Sequence, residues 1–307
     1  MKHKEEGWGW MLAVDFFFAG MGGGMLLIAG IADFLLGEGN TSVLGNFLGA
    51  FCIAIGACFL ILELGRPLQA WRVFMNPRAI LTFGAWTMTI AIGAGLIYAS
   101  FGLKMLPWSD WVILRKLMAL GCIVTGLIVA TYPGVLLGRH KSRPFWNGPG
   151  MIVLFLFSSL VTGGAAHILS AAILPAYYPG GLSGLPLMVA LLLGFQLIFW
   201  VGYLWVKISG TTEREAKAAR KWLKGNFSGK FIYGFLLIGT LLPLVLLLFP
   251  GTGVIALGAF LALLGGLLMR LLVVYSGEDR TWLPGEECYR ARLPLGTEEF
   301  LKAWNTK

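Results

Sequence analysis

The chain has 307 residues, of which 57% are hydrophobic and only 13% charged, and its formal net charge is +9. Soluble domains carry about 25% charged residues, so this composition excludes a water-soluble globular fold and places the chain in a lipid bilayer. Apolar runs long enough to cross a hydrocarbon layer about 30 Å thick as helices lie at 10–36, 45–65, 79–102, 112–137, 150–174, 186–206, 231–249 and 253–275. None shows a strict two-residue alternation, and backbone polar groups in lipid must be satisfied within the span. The expected fold is therefore all-α, with eight transmembrane helices in two four-helix bundles, and not a barrel.

In chain order, Trp8-Gly9-Trp10 leads into the first span, which holds Asp15, the glycine-rich stretch Gly20 to Gly24, and Asp33. This run is too long for a signal peptide, and no small-residue cleavage site follows it. The second span closes on Glu63-Leu64-Gly65-Arg66-Pro67, with Trp71 just beyond, and Gly84-Ala85-Trp86 lies near the start of the third. Tyr132-Pro133-Gly134 lies near the end of the fourth, and Arg143-Pro144-Phe145-Trp146-Asn147-Gly148 follows it as a compressed echo of the segment from Arg66 to Pro77. The fifth span carries His167 after small residues that permit close helix packing, and the sixth carries Gln196. Thr212-Glu213-Arg214-Glu215 has a capping-box pattern and predicts a short basic helix near the headgroups. Pro250-Gly251-Thr252-Gly253 is a turn that makes the last two spans antiparallel neighbours. Residues 1–275 are expected to form one membrane domain, and 276–307 a polar tail broken by Pro284, Gly285, Pro294 and Gly296.

Eight spans would put both termini on one side, here called the terminal face. Twenty-one of the 24 Lys and Arg residues and 12 of the 15 acids then fall on that face. The opposite face holds only Lys104, Arg115 and Lys116 with three acids, so the whole net charge of +9 lies at the terminal face. By the positive-inside rule both termini are expected in the cytoplasm, with the protein in the inner membrane. A basic face is also a docking surface for an acidic partner, which would add to the bias.

Cysteine and histidine narrow the chemistry. Cys52, Cys58 and Cys122 lie in spans and Cys288 in the tail, with no C-x-x-C and no ferredoxin spacing, so no iron-sulfur cluster of the protein's own is expected. Only His167 of the three histidines lies well inside a span, whereas a membrane b-type haem needs two axial ligands at depth. No haem and no other bound metal are expected. Nucleotide signatures are absent, and no nucleic-acid partner is expected.

Taken together, the segments around Trp8, Gly20 to Gly24, Glu63 to Trp71, Gly84 to Trp86, Tyr132 to Gly134, Arg143 to Gly148, and Leu267 to Arg270 with Ser276-Gly277 resemble the NrfD family. The resemblance implies a quinone-binding membrane subunit of a respiratory oxidoreductase complex. Such a subunit exchanges electrons and protons between menaquinone or ubiquinone and a ferredoxin-like partner carrying [4Fe-4S] clusters, with a molybdopterin catalytic subunit beyond it. It also implies that Tyr132 contacts quinone. Asp15 stands where a family member has a quinone-binding histidine, and Leu12 where it has an asparagine.

Charges at bilayer depth cost at least ~2.5 kcal/mol and usually serve function. Asp15, Glu63, Tyr132 and Arg270 all fall within about two turns of the terminal-face end of their helices, with Arg66 and Arg139 just beyond, so they are expected to converge on one shallow site. Asp15 is the candidate acid–base group, and Tyr132, Glu63, Arg66, Arg139 and Arg270 complete the candidate quinone site. His167, Asp33 and Gln196 are weaker proton-relay candidates. Each has a plainer role open to it: an ion pair for Glu63 with Arg66, an interfacial belt position for Tyr132, snorkelling for Asp15 and Arg270, packing for His167. Two other classes compete with the oxidoreductase reading, an ion- or proton-coupled secondary transporter and a purely structural anchor. A transporter is expected to show inverted repeats and broken midplane helices.

Overall fold

The computed structural model describes residues 9–37, 41–63, 67–75, 80–140, 142–174, 184–210 and 212–278. Arg66, Cys288 and most of the tail lie outside these residues. Helices account for all the regular structure described. Seven are long and apolar enough to cross a membrane: α1 (Trp10–Leu36), α2 (Val43–Glu63), α3 (Ile80–Ser100), α4 (Val112–Gly138), α5 (Gly150–Ile173), α6 (Leu185–Ser209) and α9 (Thr252–Tyr275). The run expected at 231–249 is shorter. It is a π-helix over Lys230–Leu241 that passes directly into α8 (Leu242–Leu246). Seventeen residues span about 26 Å even at the α-helical rise. The wider winding persists to the proline: the Leu242 N–H bonds to the Leu237 carbonyl five residues back, and Pro243 has no N–H to offer.

α1 is the central helix, packed against α2, α4, α5 and α9. Its glycines explain how one helix serves so many neighbours. Successive residues point about 100° apart, so Gly22, Gly23 and Gly24 face three different partners. A Cβ on Gly22 would lie 2.4 Å from the Gly49 carbonyl oxygen of α2, one on Gly23 2.9 Å from that of Gly126 on α4, and one on Gly24 2.0 Å from that of Ser159 on α5. All three are backbone-on-backbone crossings, the close approach that small residues allow between membrane helices. α2 and α3 pack together, as do α3 and α4, while α5 packs on α6 and α9. The π-helix crosses α9 at Gly239 and Gly265, where either Cβ would lie 2.5 Å from the other residue's Cα.

α7 (Glu213–Lys224) is the expected basic helix between the sixth and seventh runs, but its N-terminal chemistry differs from a capping box. The Thr212 side chain makes no cap hydrogen bond. Glu215 instead turns inward, pairing with Lys207 at 2.9 Å and accepting a bond from Asn147 Nδ2 at 3.2 Å. Lys207 also donates to the carbonyls of Pro144 and Asn147. A buried amine needs such partners, and the inward Glu215 supplies the charge. Trp222 on the same face of α7 stacks on Phe145 at 4.5 Å and packs with Trp200 and Phe231, closing this end of the helices.

The sequence echo does not extend to environment. Trp146 is fully buried, donates to the Val273 carbonyl at 2.7 Å, and lies under the Arg143 guanidinium, which bonds to the Gly277 carbonyl. Trp71, in the 3₁₀ segment Pro67–Met75, is 56% exposed. The second segment thus ties the end of α4 to α9.

Candidate functional site

Helix phase decides which ionisable residues meet. On α1, Asp15, Ala19 and Gly22 recur at i, i+4 and i+7 and share one face. That face lies on α2: a Cβ on Gly56 would lie 2.8 Å from the Ala19 nitrogen and 3.1 Å from the Asp15 carbonyl oxygen. Glu63 follows Gly56 by seven residues on the same face of α2, and its Oε1 accepts the Gly9 N–H at 3.4 Å. Tyr132 enters from α4 and lies within electrostatic reach of Asp15, which in turn lies within reach of Glu63. Room for the Tyr132 ring comes from Gly84 on α3, where a Cβ would lie 2.5 Å from the ring Cζ.

Three polar atoms in this cluster lack hydrogen-bond partners among the described residues: Asp15 Oδ1, Glu63 Oε2 and the Tyr132 hydroxyl. Asp15 is 1% exposed and Tyr132 7%, so neither group makes up the deficit with bulk water. Unsatisfied buried polar groups cost about 1–3 kcal/mol each. These three, from three helices, lie within about two turns of the terminal-face end. Pro133, next to Tyr132, removes the helical bond to the Val129 carbonyl one turn back.

The remaining candidates lie elsewhere. Arg270 reaches the same depth behind α1, on the face formed by Phe16, Gly20 and Gly24. Its Nε donates to the Phe16 carbonyl at 2.9 Å, and its terminal nitrogens donate to Ser158 Oγ, Ser159 Oγ and the Gly266 carbonyl. It is fully buried, with the rings of Phe17 and Phe155 at 5.6 and 5.9 Å, so it does not snorkel to the headgroups. Arg139 is exposed at the C-cap of α4, and Arg66 lies outside the described residues.

His167 is buried in α5, its Nε2 3.0 Å from the Met25 carbonyl. Asp33, at the opposite end of α1, pairs with Arg115 at 3.4 Å and Lys116 at 3.5 Å. Two of the three opposite-face cations thereby share one buried carboxylate, whose single negative charge balances one of them. Gln196 is buried in α6, its Oε1 without a partner among the described residues. Among the described residues no group of three or more His, Cys, Asp or Glu is placed to hold a metal ion.

Residue-level reading missed Ser158 and Ser159, which hold the Arg270 guanidinium, and Gly84, which makes room for Tyr132. Gly84 did carry a signal, since it begins one of the segments that resemble the family. The two serines carried none, because hydroxyls bonding within an apolar helix leave no periodic trace.

Fold and site together define a polytopic helical membrane protein with a buried carboxylate–tyrosine cluster near one end of its helices. The protein belongs to the family described as polysulphide reductase, NrfD, whose profile matches residues 2–280. Among similar proteins, the C subunit of polysulfide reductase from Wolinella succinogenes is 26% identical over 302 residues, covering 88% of the present sequence and 94% of that protein. The NrfD protein of Escherichia coli is 23% identical over 192 residues, covering 54% of the present sequence and 60% of that protein.

Proposed function

We propose that this protein is the quinone-reactive membrane subunit of a respiratory oxidoreductase complex. The observation that carries the reading is the gathering of three unpartnered polar atoms, Asp15 Oδ1, Glu63 Oε2 and the Tyr132 hydroxyl, within about two turns of one end of the helices. Family membership supports it. A quinol presents two hydroxyls and a quinone two carbonyls, and the cluster offers an acid–base group and a phenol donor to match. The bound quinone supplies the two-electron chemistry. Asp15 takes a proton from a quinol hydroxyl as electrons leave, or gives one in the reverse direction. Tyr132 donates a hydrogen bond that orients the head group, and the apolar surroundings from α1, α3 and α4 shield the head group from bulk water.

In this reading a ferredoxin-like [4Fe-4S] subunit docks near the cluster and a molybdopterin subunit completes the complex. Residues 1–275 form the membrane domain, the π-helix and α8 make its eighth crossing, and α1 to α4 and α5 to α9 form its two bundles. Residues 276–307 form a polar tail at the partner-facing side. The charge bias makes that side cytoplasmic in the inner membrane, and a reporter fused at Lys307 is expected to be active only in a form that works in the cytoplasm. Activity restricted to a periplasmic reporter would reverse the orientation.

The direct test is quinone content: the purified protein should carry menaquinone or ubiquinone near one per polypeptide. Protein that neither retains nor takes up quinone would overturn the reading in favour of a structural anchor or a transporter. Tyr132→Phe removes only a hydroxyl, so quinone affinity measured by titration should weaken by about 0.5–1.5 kcal/mol, roughly the net value of one hydrogen bond. Unchanged affinity would remove Tyr132 from the site.

A further inference from the structure

We infer that Glu63 relays protons between Asp15 and the water at the terminal face, so that both protons of quinone chemistry are exchanged on that side of the membrane. The inference rests on the functional reading above and adds proton relay to the place of Glu63 in the polar cluster. Asp15 is about five residues inside α1, roughly 8 Å from its start, and is 1% exposed. A carboxyl so placed has no direct route to bulk water, yet it must be reset after every proton it accepts.

Glu63 has the complementary placement. It is the last residue of α2, half-buried, and two turns beyond Gly56, where α2 packs on the Asp15 segment of α1. Its Oε1 is anchored by the Gly9 N–H at the very start of α1, and its Oε2 has no partner among the described residues. One carboxyl oxygen thus fixes the side chain while the other stays available. The second independent feature is the Tyr132 hydroxyl, buried and unpartnered in the same cluster. Among the described residues, the titratable groups within electrostatic reach of Asp15 are Glu63 from α2 and Tyr132 from α4. The Arg270 charge lies behind α1, bonded to the Phe16 carbonyl.

In the direction of quinol oxidation, a quinol O–H bond breaks and its proton forms an O–H bond on the Asp15 carboxylate, while the electrons leave to the iron-sulfur acceptor of the partner subunit. Asp15 passes the proton through water to Glu63 Oε2, and Glu63 releases it at the terminal face. Asp15, again a carboxylate, accepts the second hydroxyl proton by the same route. Two electrons and two protons leave in total, and the reduction direction runs in reverse.

The experiment uses the intact complex, with binding of a quinol analogue and steady-state turnover measured for wild type, Glu63→Gln and Glu63→Asp, each with and without millimolar formate. Glu63→Gln keeps an oxygen to accept the Gly9 N–H but cannot carry a proton. At saturating quinol analogue it should lose turnover by about 10²-fold, and recover part of it with formate as a diffusible proton carrier. Glu63→Asp keeps a carboxyl and should retain more turnover than Glu63→Gln. Undiminished turnover at saturating quinol analogue in Glu63→Gln, or a loss that formate does not relieve, overturns the relay alone. A wild-type complex that binds no quinol analogue overturns the functional reading and the relay with it.

Discussion

Asp15→Asn should abolish or strongly slow quinol turnover while leaving the protein assembled. The substitution is nearly isosteric, and Asp15 Oδ1 makes no hydrogen bond that the change would break. Packing around it is set by Ala19, Gly22 and Gly56, which the substitution leaves untouched. What disappears is the titratable group. General acid–base catalysis is typically worth about 10²–10⁴-fold in rate, and a buried site gives water little chance to substitute. The loss should therefore appear in electron transfer from a quinol analogue to the partner clusters, with the gel-filtration profile and helical circular dichroism of wild type. Unchanged electron transfer in Asp15→Asn would refute the acid–base assignment and leave the carboxylate a packing role.

Gly24→Val is expected to fail at an earlier stage, with little or no folded protein recovered. The Cβ would stand 2.0 Å from the Ser159 carbonyl oxygen and 2.7 Å from its carbon, both backbone atoms of α5. Gly163 meets the Gly24 backbone from the other side, where its own Cβ would lie 2.5 Å from the Gly24 carbonyl carbon. A flexible side chain can move aside, but two helix backbones can only separate. Overpacking in a core typically costs about 1–3 kcal/mol when side chains adjust, and here the whole α1–α5 contact would have to open, taking the Arg270 bonds to Ser158, Ser159 and Phe16 with it. Gly93→Val is the control, because nothing lies within 4 Å of its would-be Cβ. Detergent-extracted yield and thermal unfolding should place Gly93→Val near wild type and Gly24→Val far below it. Comparable yields for the two would mean that α1 and α5 do not cross backbone to backbone.

The apolar runs located the helices closely: α1 coincides with the expected 10–36, and α4 and α5 differ from expectation by one residue at one end. They do so because about 20 consecutive apolar residues have few stable alternatives to a lipid-spanning helix. Asp15 was identifiable for a related reason, since a carboxylate at that depth is costly enough to need explaining. Composition could also place the protein in a membrane, and the dispersed Trp, Gly and Arg-Pro segments could mark its family.

The rotation of each helix about its axis was not legible in the same way. These helices are apolar on every side, so periodicity carries almost no information about which face meets which neighbour. Glu63 could be placed near Arg66 by adjacency, but its bond to Gly9 joins residues 54 apart. Arg270 and Asp15 share a depth, yet the packing of α5 and α9 behind α1 puts the guanidinium among two serines and two carbonyls instead of beside the carboxylate. Even in the amphipathic α7, local chemistry predicted an N-cap pair where the buried Lys207 amine draws Glu215 inward. Depth and span follow from transfer free energy, which each residue carries along the sequence. Partners at the site follow from helix phase and from which glycines let two backbones touch, and those are properties of the packed assembly.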